Sequence, residues 1–312
     1  MCVSKRMAIA VVLTVAILLS SACQPVQAPP PTPTPAAAMQ PDQLNAVWGS
    51  SSSDVYAFGF DGRILHYGGV AWSPMDKATS QLTTAWGTSA NDIFVVGFDG
   101  TILHFDGTAW TPMESGTLQH LIGVWGSANN DVFAVGGGGT ILHYDGMAWS
   151  PMESGLPYSW LFGVWGASSD DVFAVGQGGT ILHYDGATWS ATESGTALDL
   201  WSAWGSSGSD VYAVGAAGRL LYYDGTAWSQ VESGTKNDFV VIWGSASDDI
   251  FAVGAGGLVL HYDGAAWAPM ETPTTSNLEC VWGSSGDDVF AVGAGSTIIH
   301  YDGETWSVMP VQ

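Results

Sequence analysis

One phrase of about 39 residues recurs seven times between Leu44 and Gln312, most plainly as LFGVWGASSDDVFAVGQGGTILHYDGATWSATESG from Leu161. The first tryptophan of each copy falls at Trp48, Trp86, Trp125, Trp165, Trp204, Trp243 and Trp282, with successive spacings of 38, 39, 40, 39, 39 and 39 residues. A period that regular marks one supersecondary unit copied into an array, each unit burying its apolar face against the next. In the third copy, runs rich in Val, Ile, Phe, Tyr and Trp cover LIGVWGS (121–127), DVFAVG (131–136), TILHYDG (140–146) and AWSPM (148–152), bounded by Gly, Ser, Asn and Asp. These are strand and turn signals without helical periodicity. Four short strands per copy, seven times over, predict an all-β chain: a seven-bladed β-propeller of four-stranded antiparallel blades.

The propeller is expected over residues 44–312, with repeats near 44–80, 81–117, 118–157, 158–196, 197–235, 236–274 and 275–312. Blades stack face to face, so their inner strands are buried on both sides and read as nearly continuous apolar runs, as VWG and VFAVG do. The Asp-Gly pair before the fourth strand suits a tight hairpin, because glycine tolerates positive φ and aspartate bonds its own backbone. Each copy begins with the presumed innermost strand and ends with the outermost. Every blade is therefore expected to be contiguous in sequence, with no strand exchange closing the ring.

Residues 1–23 read as a secretory signal: Lys5 and Arg6 form the charged region, and Met7 to Leu19 form an apolar core too short to span a bilayer comfortably. Its end, Leu19 to Cys23, resembles a bacterial lipoprotein signal, which implies that Cys23 becomes the lipidated first residue. Residues 24–43 are rich in proline and alanine and lack apolar periodicity, so they should form a disordered, extended tether. At about 3.1 Å per residue, such a tether reaches roughly 60 Å. The expected location is the bacterial cell envelope, with an exported chain lipid-anchored to the outer membrane or cell surface.

Removing the signal leaves Arg63, Lys77, Arg219 and Lys236 against all 29 acidic residues. So negative a chain repels phosphate backbones and anionic headgroups, which argues against nucleic acid and limits membrane contact to the lipid anchor. A cationic partner is allowed but not demanded. Of the three cysteines, Cys2 leaves with the signal and Cys23 is assigned to lipid, so Cys280 stands alone and no disulfide framework exists. Stability must come from packing, and a monomer is expected.

The pattern L..VWG…DVFAVG..GTILHYDG..W resembles the BNR or Asp-box repeats of bacterial propellers, especially those similar to the photosystem II stability/assembly factor, over residues 44–312. In that family the turn before the fourth strand carries an aspartate, a glycine and a tryptophan, matched by Asp185, Gly186 and Trp189 and their equivalents. This chain has four residues from Asp to Trp rather than five, and Gly68 replaces the aspartate in the first copy. The basic patch implied for the assembly factor has no counterpart among four basic residues. The WG and ILHYDG spacing is also similar to tectonin repeats, which implies sugar-binding or protein-binding propellers.

Six histidines, His66, His104, His143, His183, His261 and His300, share one repeat position, with Tyr222 in the fifth copy. They lie about two strand spacings outside the innermost strand, so their imidazoles cannot converge on a metal. The aspartates before each second strand, such as Asp131, are expected to cap Asx turns. No cofactor and no catalytic residue are expected. Sialidases share fold and Asp-box turns, and the resemblance implies three convergent arginines and a tyrosine nucleophile, but the mature chain holds only Arg63 and Arg219. A G-x-S-x-G elbow, an H-E-x-x-H helix and a P-loop are absent from the sequence.

What differs between copies is the pair of turns that share one face, from second to third strand and from fourth strand to the next blade. The candidate ligand-binding residues are Phe60, Phe98, His120, Tyr158, Trp160, Phe162 and Trp201, with Lys236, Asp238 and Glu279 also among the varying positions. Their aromatic content suits anchoring a partner protein or stacking on a sugar. The expected role is a non-catalytic scaffold binding a protein. The alternative is a glycan-binding or carbohydrate-active propeller.

Overall fold

The computed structural model describes residues 42–75 and 77–311. The expected signal, Cys23 and linker residues 24–41 lie outside the described residues. Seven four-stranded antiparallel sheets follow one another, each contiguous in sequence and ordered from first strand to fourth. In the third blade the strands are Leu121–Ala128, Asp131–Gly136, Ile141–Tyr144 and Trp149–Met152. The first strand among the described residues, Leu44–Ser51, pairs with the second strand of its own blade, and among the described residues no early segment supplies an outer strand to the last blade.

Period-two alternation acts here on two buried faces at once. Val132, Ala134 and Leu142 share a core with Phe94 and Val96 of blade two, whereas Phe133, Val135 and Ile141 share one with Val172 and Ala174 of blade four. Each such core joins two neighbouring blades. The cluster joining Val47 and Trp72 to Phe290 and Val292 closes the circle from blade seven to blade one.

The Trp-Gly pair of each first strand works between blades rather than within one. A Cβ on Gly126 would stand 2.6 Å from the indole of Trp86, and one on Gly166 would stand 2.5 Å from that of Trp125. The rule runs round the ring and ends with Trp282 over Gly49. Glycine is required because the preceding blade's indole occupies the space of a side chain. The outer tryptophans cohere differently: Trp149 lies beside Tyr144 at 5.3 Å and meets Phe94 of the previous blade edge-on at 6.2 Å.

The seam between last and first blades has extra fastenings. Ser296 holds φ at 52°, where its equivalents are glycines such as Gly139, whose Cβ would strike the Leu156 carbonyl oxygen at 1.8 Å. Ser296 instead donates from both its backbone N–H and its hydroxyl to the Asp42 carbonyl, and accepts from the Arg63 guanidinium of blade one at 2.8 Å. Val311 adds one parallel bridge to Trp72 on the outer strand of blade one.

Candidate recognition face

The strand order places the turns on two faces. The face bearing the first-to-second and third-to-fourth turns is nearly identical from blade to blade. There His143 Nε2 lies 2.6 Å from Asp131 Oδ1, and the Ser127 hydroxyl donates to the other oxygen of that carboxylate. Five further blades repeat the imidazole–carboxylate pair at 2.7 Å, and in the fifth the Tyr222 phenol takes the imidazole's place beside Asp210. The aspartates that open the second strands therefore tie strands together instead of capping Asx turns as expected. Those of the Tyr-Asp-Gly turns do cap: Asp145 Oδ1 accepts the N–H groups of Met147 and Ala148, both at 2.9 Å. These bonds hold its carboxyl below the usual range.

Serine, aspartate and histidine joined by hydrogen bonds resemble a hydrolase triad, but their order differs. The carboxylate sits in the middle and receives both the hydroxyl and the imidazole, so no base faces the serine oxygen. The arrangement is a strand clamp. Among the described residues no three His, Cys, Asp or Glu side chains come together to hold a metal ion.

The opposite face carries the differences. Three registers line it in every blade: the residue after the second strand, the residue before the first strand, and the second residue of that first strand. The first register holds Phe60, Phe98, Gly137, Gln177, Ala216, Ala255 and Ala294. The second holds Gln43, Gln81, His120, Trp160, Asp199, Asp238 and Asn277, and the third holds Asn45, Thr83, Ile122, Phe162, Trp201, Val240 and Glu279. A backbone bond ties the first two registers in each blade, as from the Gly137 N–H to the His120 carbonyl at 2.9 Å.

Five of the seven candidate residues form one chain of rings. Phe60 meets Phe98 edge-on at 5.9 Å, and Phe98 stacks on His120 at 4.2 Å. His120 lies 6.2 Å from Trp160, which lies roughly parallel to Phe162 at 6.4 Å. The arc thus crosses blades one to four on half-buried side chains. Gly137 makes room for it, since a Cβ there would lie 3.2 Å from the Trp160 indole. Trp201 continues the register of Phe162 into blade five without a ring contact. Tyr158 stands apart from the arc, 91% exposed on the connection entering blade four, with Leu118 85% exposed at the equivalent place one blade earlier.

Polar caps hold this face in shape. The His120 Nδ1 accepts the Asp99 N–H at 3.0 Å, and Asp199 and Asp238 accept those of Gly178 and Ala217 at 2.7 Å. Each cap reaches from one blade to the middle of the turn in the blade before. On blade one, burial works to raise the Asp61 carboxyl, but bonds from Arg63 and Lys77 prevail and hold it at about 2. Burial pushes the Glu279 carboxyl up. The roles of Asp99 and Asp199 escaped sequence reasoning, although their registers place them beside Phe98 and next after Trp160.

No family model matches the chain, and no curated protein matches it. Among solved structures, it is similar to "YCF48 bound to D1 peptide" at 15% identity and TM-score 0.68, with 83% of this chain and 93% of that one covered. A structure of YCF48 from Cyanidioschyzon merolae matches at 14% identity and TM-score 0.66, covering 84% and 96% respectively. The WD40 β-propeller domain of Doa1 matches at 11% identity and TM-score 0.69, covering 82% and 91%. The chain has the fold these propellers share, and at such identities the likeness speaks of fold alone.

Proposed function

We propose that this chain is a non-catalytic binding scaffold which takes a protein partner on its aromatic face, exported and tethered through lipid on Cys23 at a bacterial cell envelope. The observation that carries the reading is the ring chain Phe60, Phe98, His120, Trp160 and Phe162, assembled from positions that the repeat leaves free to vary. Half-buried aromatic side chains on a rigid frame provide large contact area at small entropic cost, the usual makeup of interface anchors. That a propeller of this fold, YCF48, has been solved with a peptide bound supports the same use.

The immobilised mature chain should retain a protein from an envelope extract, and Phe98→Ala or Trp160→Ala should abolish retention. Retention unchanged in both variants sinks the assignment of the face. Saccharides on a glycan array that are held by wild type and lost in the variants would replace the protein reading with the lectin one. Labelling with a radiolabelled fatty acid, lost in Cys23→Ser, tests the anchor.

A further inference from the structure

Beyond the aromatic arc the same registers carry carboxylates. The register that holds His120 and Trp160 in blades three and four holds Asp199 and Asp238 in blades five and six, and the register of Phe162 and Trp201 holds Glu279 in blade seven. Asp199 and Asp238 each commit one oxygen to a turn N–H at 2.7 Å. That bond needs an acceptor but no charge. Asn277 makes it to the Gly256 N–H with an amide oxygen at 3.0 Å, and His120 makes it with a ring nitrogen. The negative charges at 199 and 238 are thus surplus to the fold. Their second oxygens, and both oxygens of Glu279, have no hydrogen-bond partner among the described residues.

Nearby countercharge is sparse. Arg63 and Lys77 both grip Asp61 on blade one, and Arg219 bonds Gln230. Lys236 stands exposed on the connection entering blade six. At the other side of the arc Asp99, its side chain 80% exposed, lies 3.5 Å from the His120 ring. The whole chain carries a net charge of −23, which draws a basic partner toward it over distances on the order of a Debye length.

We propose that this face reads a peptide segment in which an aromatic or large apolar side chain is followed by lysine or arginine. The apolar group lies against Phe98, His120 and Trp160, and the cation lies over Asp199 and Asp238 one and two blades further on. Aromatic contact supplies the anchor; the carboxylates set direction and exclude acidic segments. A cation beside Trp160 also gains from the ring's negative face. The inference rests on the aromatic face being the recognition surface and adds the chemistry of its occupant.

The test uses fluorescence anisotropy with the mature chain and three labelled peptides: one with a Trp-Lys-Lys core, its counterpart with Glu for Lys, and its counterpart with Ala for Trp. The Trp-Lys-Lys peptide should bind most tightly, and added salt should weaken it. Asp199→Asn with Asp238→Asn should cut its affinity about three- to tenfold while leaving the melting temperature unchanged, because asparagine keeps the cap. Equal binding of the Glu counterpart overturns the inference, as does full affinity in the paired Asn variant. If Trp160→Ala abolishes binding in those same cases, the recognition face stands and only its charge preference falls. Binding that survives Trp160→Ala and the Asn pair alike overturns both. Failure of the Trp-Lys-Lys peptide to bind wild type overturns this inference, and the extract experiment then judges the face by itself.

Discussion

Substituting Gly166 by alanine tests how the blades cohere. The new Cβ would stand 2.5 Å from Trp125 Cη2, 2.6 Å from Cζ3 and 3.0 Å from the Asp171 carbonyl oxygen. Carbon atoms pack comfortably at about 3.5–4.0 Å, so the indole must withdraw by about 1 Å. Forcing a methyl group into a filled site costs about 1–3 kcal/mol. Trp125 is half-buried and can tilt toward solvent, which places Gly166→Ala near the lower end, at about 1–2 kcal/mol. In a domain of this size that lowers the melting temperature by about 2–8 °C. Urea and thermal unfolding, followed by tryptophan fluorescence and near-UV circular dichroism, read the change. The decisive comparison is a double-mutant cycle. With Trp125→Leu in place no indole stands over Gly166, and the alanine should cost under about 0.5 kcal/mol, leaving a coupling of about 1 kcal/mol between residues of different blades. Gly68→Ala is the control, since nothing lies within 4 Å of its Cβ and its φ is ordinary. An equal cost of Gly166→Ala in both backgrounds would refute the reasoning.

Gly68→Asp should raise the melting temperature by a few degrees at neutral pH, because it restores the Asx turn that Asp106, Asp145 and their equivalents make in the other blades. In those turns the folded carboxyl is held low, at about 2 for Asp106, chiefly by bonds from Thr108 and Ala109. A folded value below the unfolded one means the gain is fully present above the ordinary carboxylate range and is lost as pH falls toward about 2. Melting curves at neutral pH and at the acid end check both halves. Asp131→Ala strips His143 and Ser127 of their shared acceptor and should cost about 1 kcal/mol in urea unfolding, as water reaching the site partly replaces the carboxylate, whose side chain is 18% exposed. Burial pushes the Cys280 thiol up to about 11, so in a chain carrying Cys2→Ser and Cys23→Ser it should react with Ellman's reagent far more slowly when native than in concentrated urea. Equal rates would contradict its packing against the Val47 carbonyl.

The blades were legible in the sequence because strand length, apolar runs and turn residues all recur with the period, so each local signal is read seven times. What the spacing hides is which copy a residue serves. Trp125 and Gly126 are neighbours in the chain, yet the glycine that Trp125 covers is Gly166, and the indole that covers Gly126 is Trp86. The clamp of Asp131 by His143 went unread for a related reason. Aspartate before a strand usually satisfies its own turn, and only pairing of the second and third strands brings the imidazole diagonally across. On the varying face, sequence could mark the free positions but not their contacts. His120 joins the arc because Phe98 of the preceding blade stacks on it, whereas Tyr158, equally aromatic, extends from a connection with nothing beside it. The sequence marked Asp238 only as a varying position and passed over Asp199, since the cap that both serve is one that asparagine serves as well.

On the proposed reading the aromatic residues divide between two roles: those repeated in every blade hold the ring together, and those of the arc would receive a partner. The direct measurement is the melting temperature and the partner binding of the Phe98→Ala/Trp160→Ala chain, taken side by side with Gly166→Ala. The division predicts that the arc variant melts within a few degrees of wild type and binds nothing, while Gly166→Ala melts lower and still binds. An arc variant that unfolds while the remaining folded fraction binds normally would contradict it.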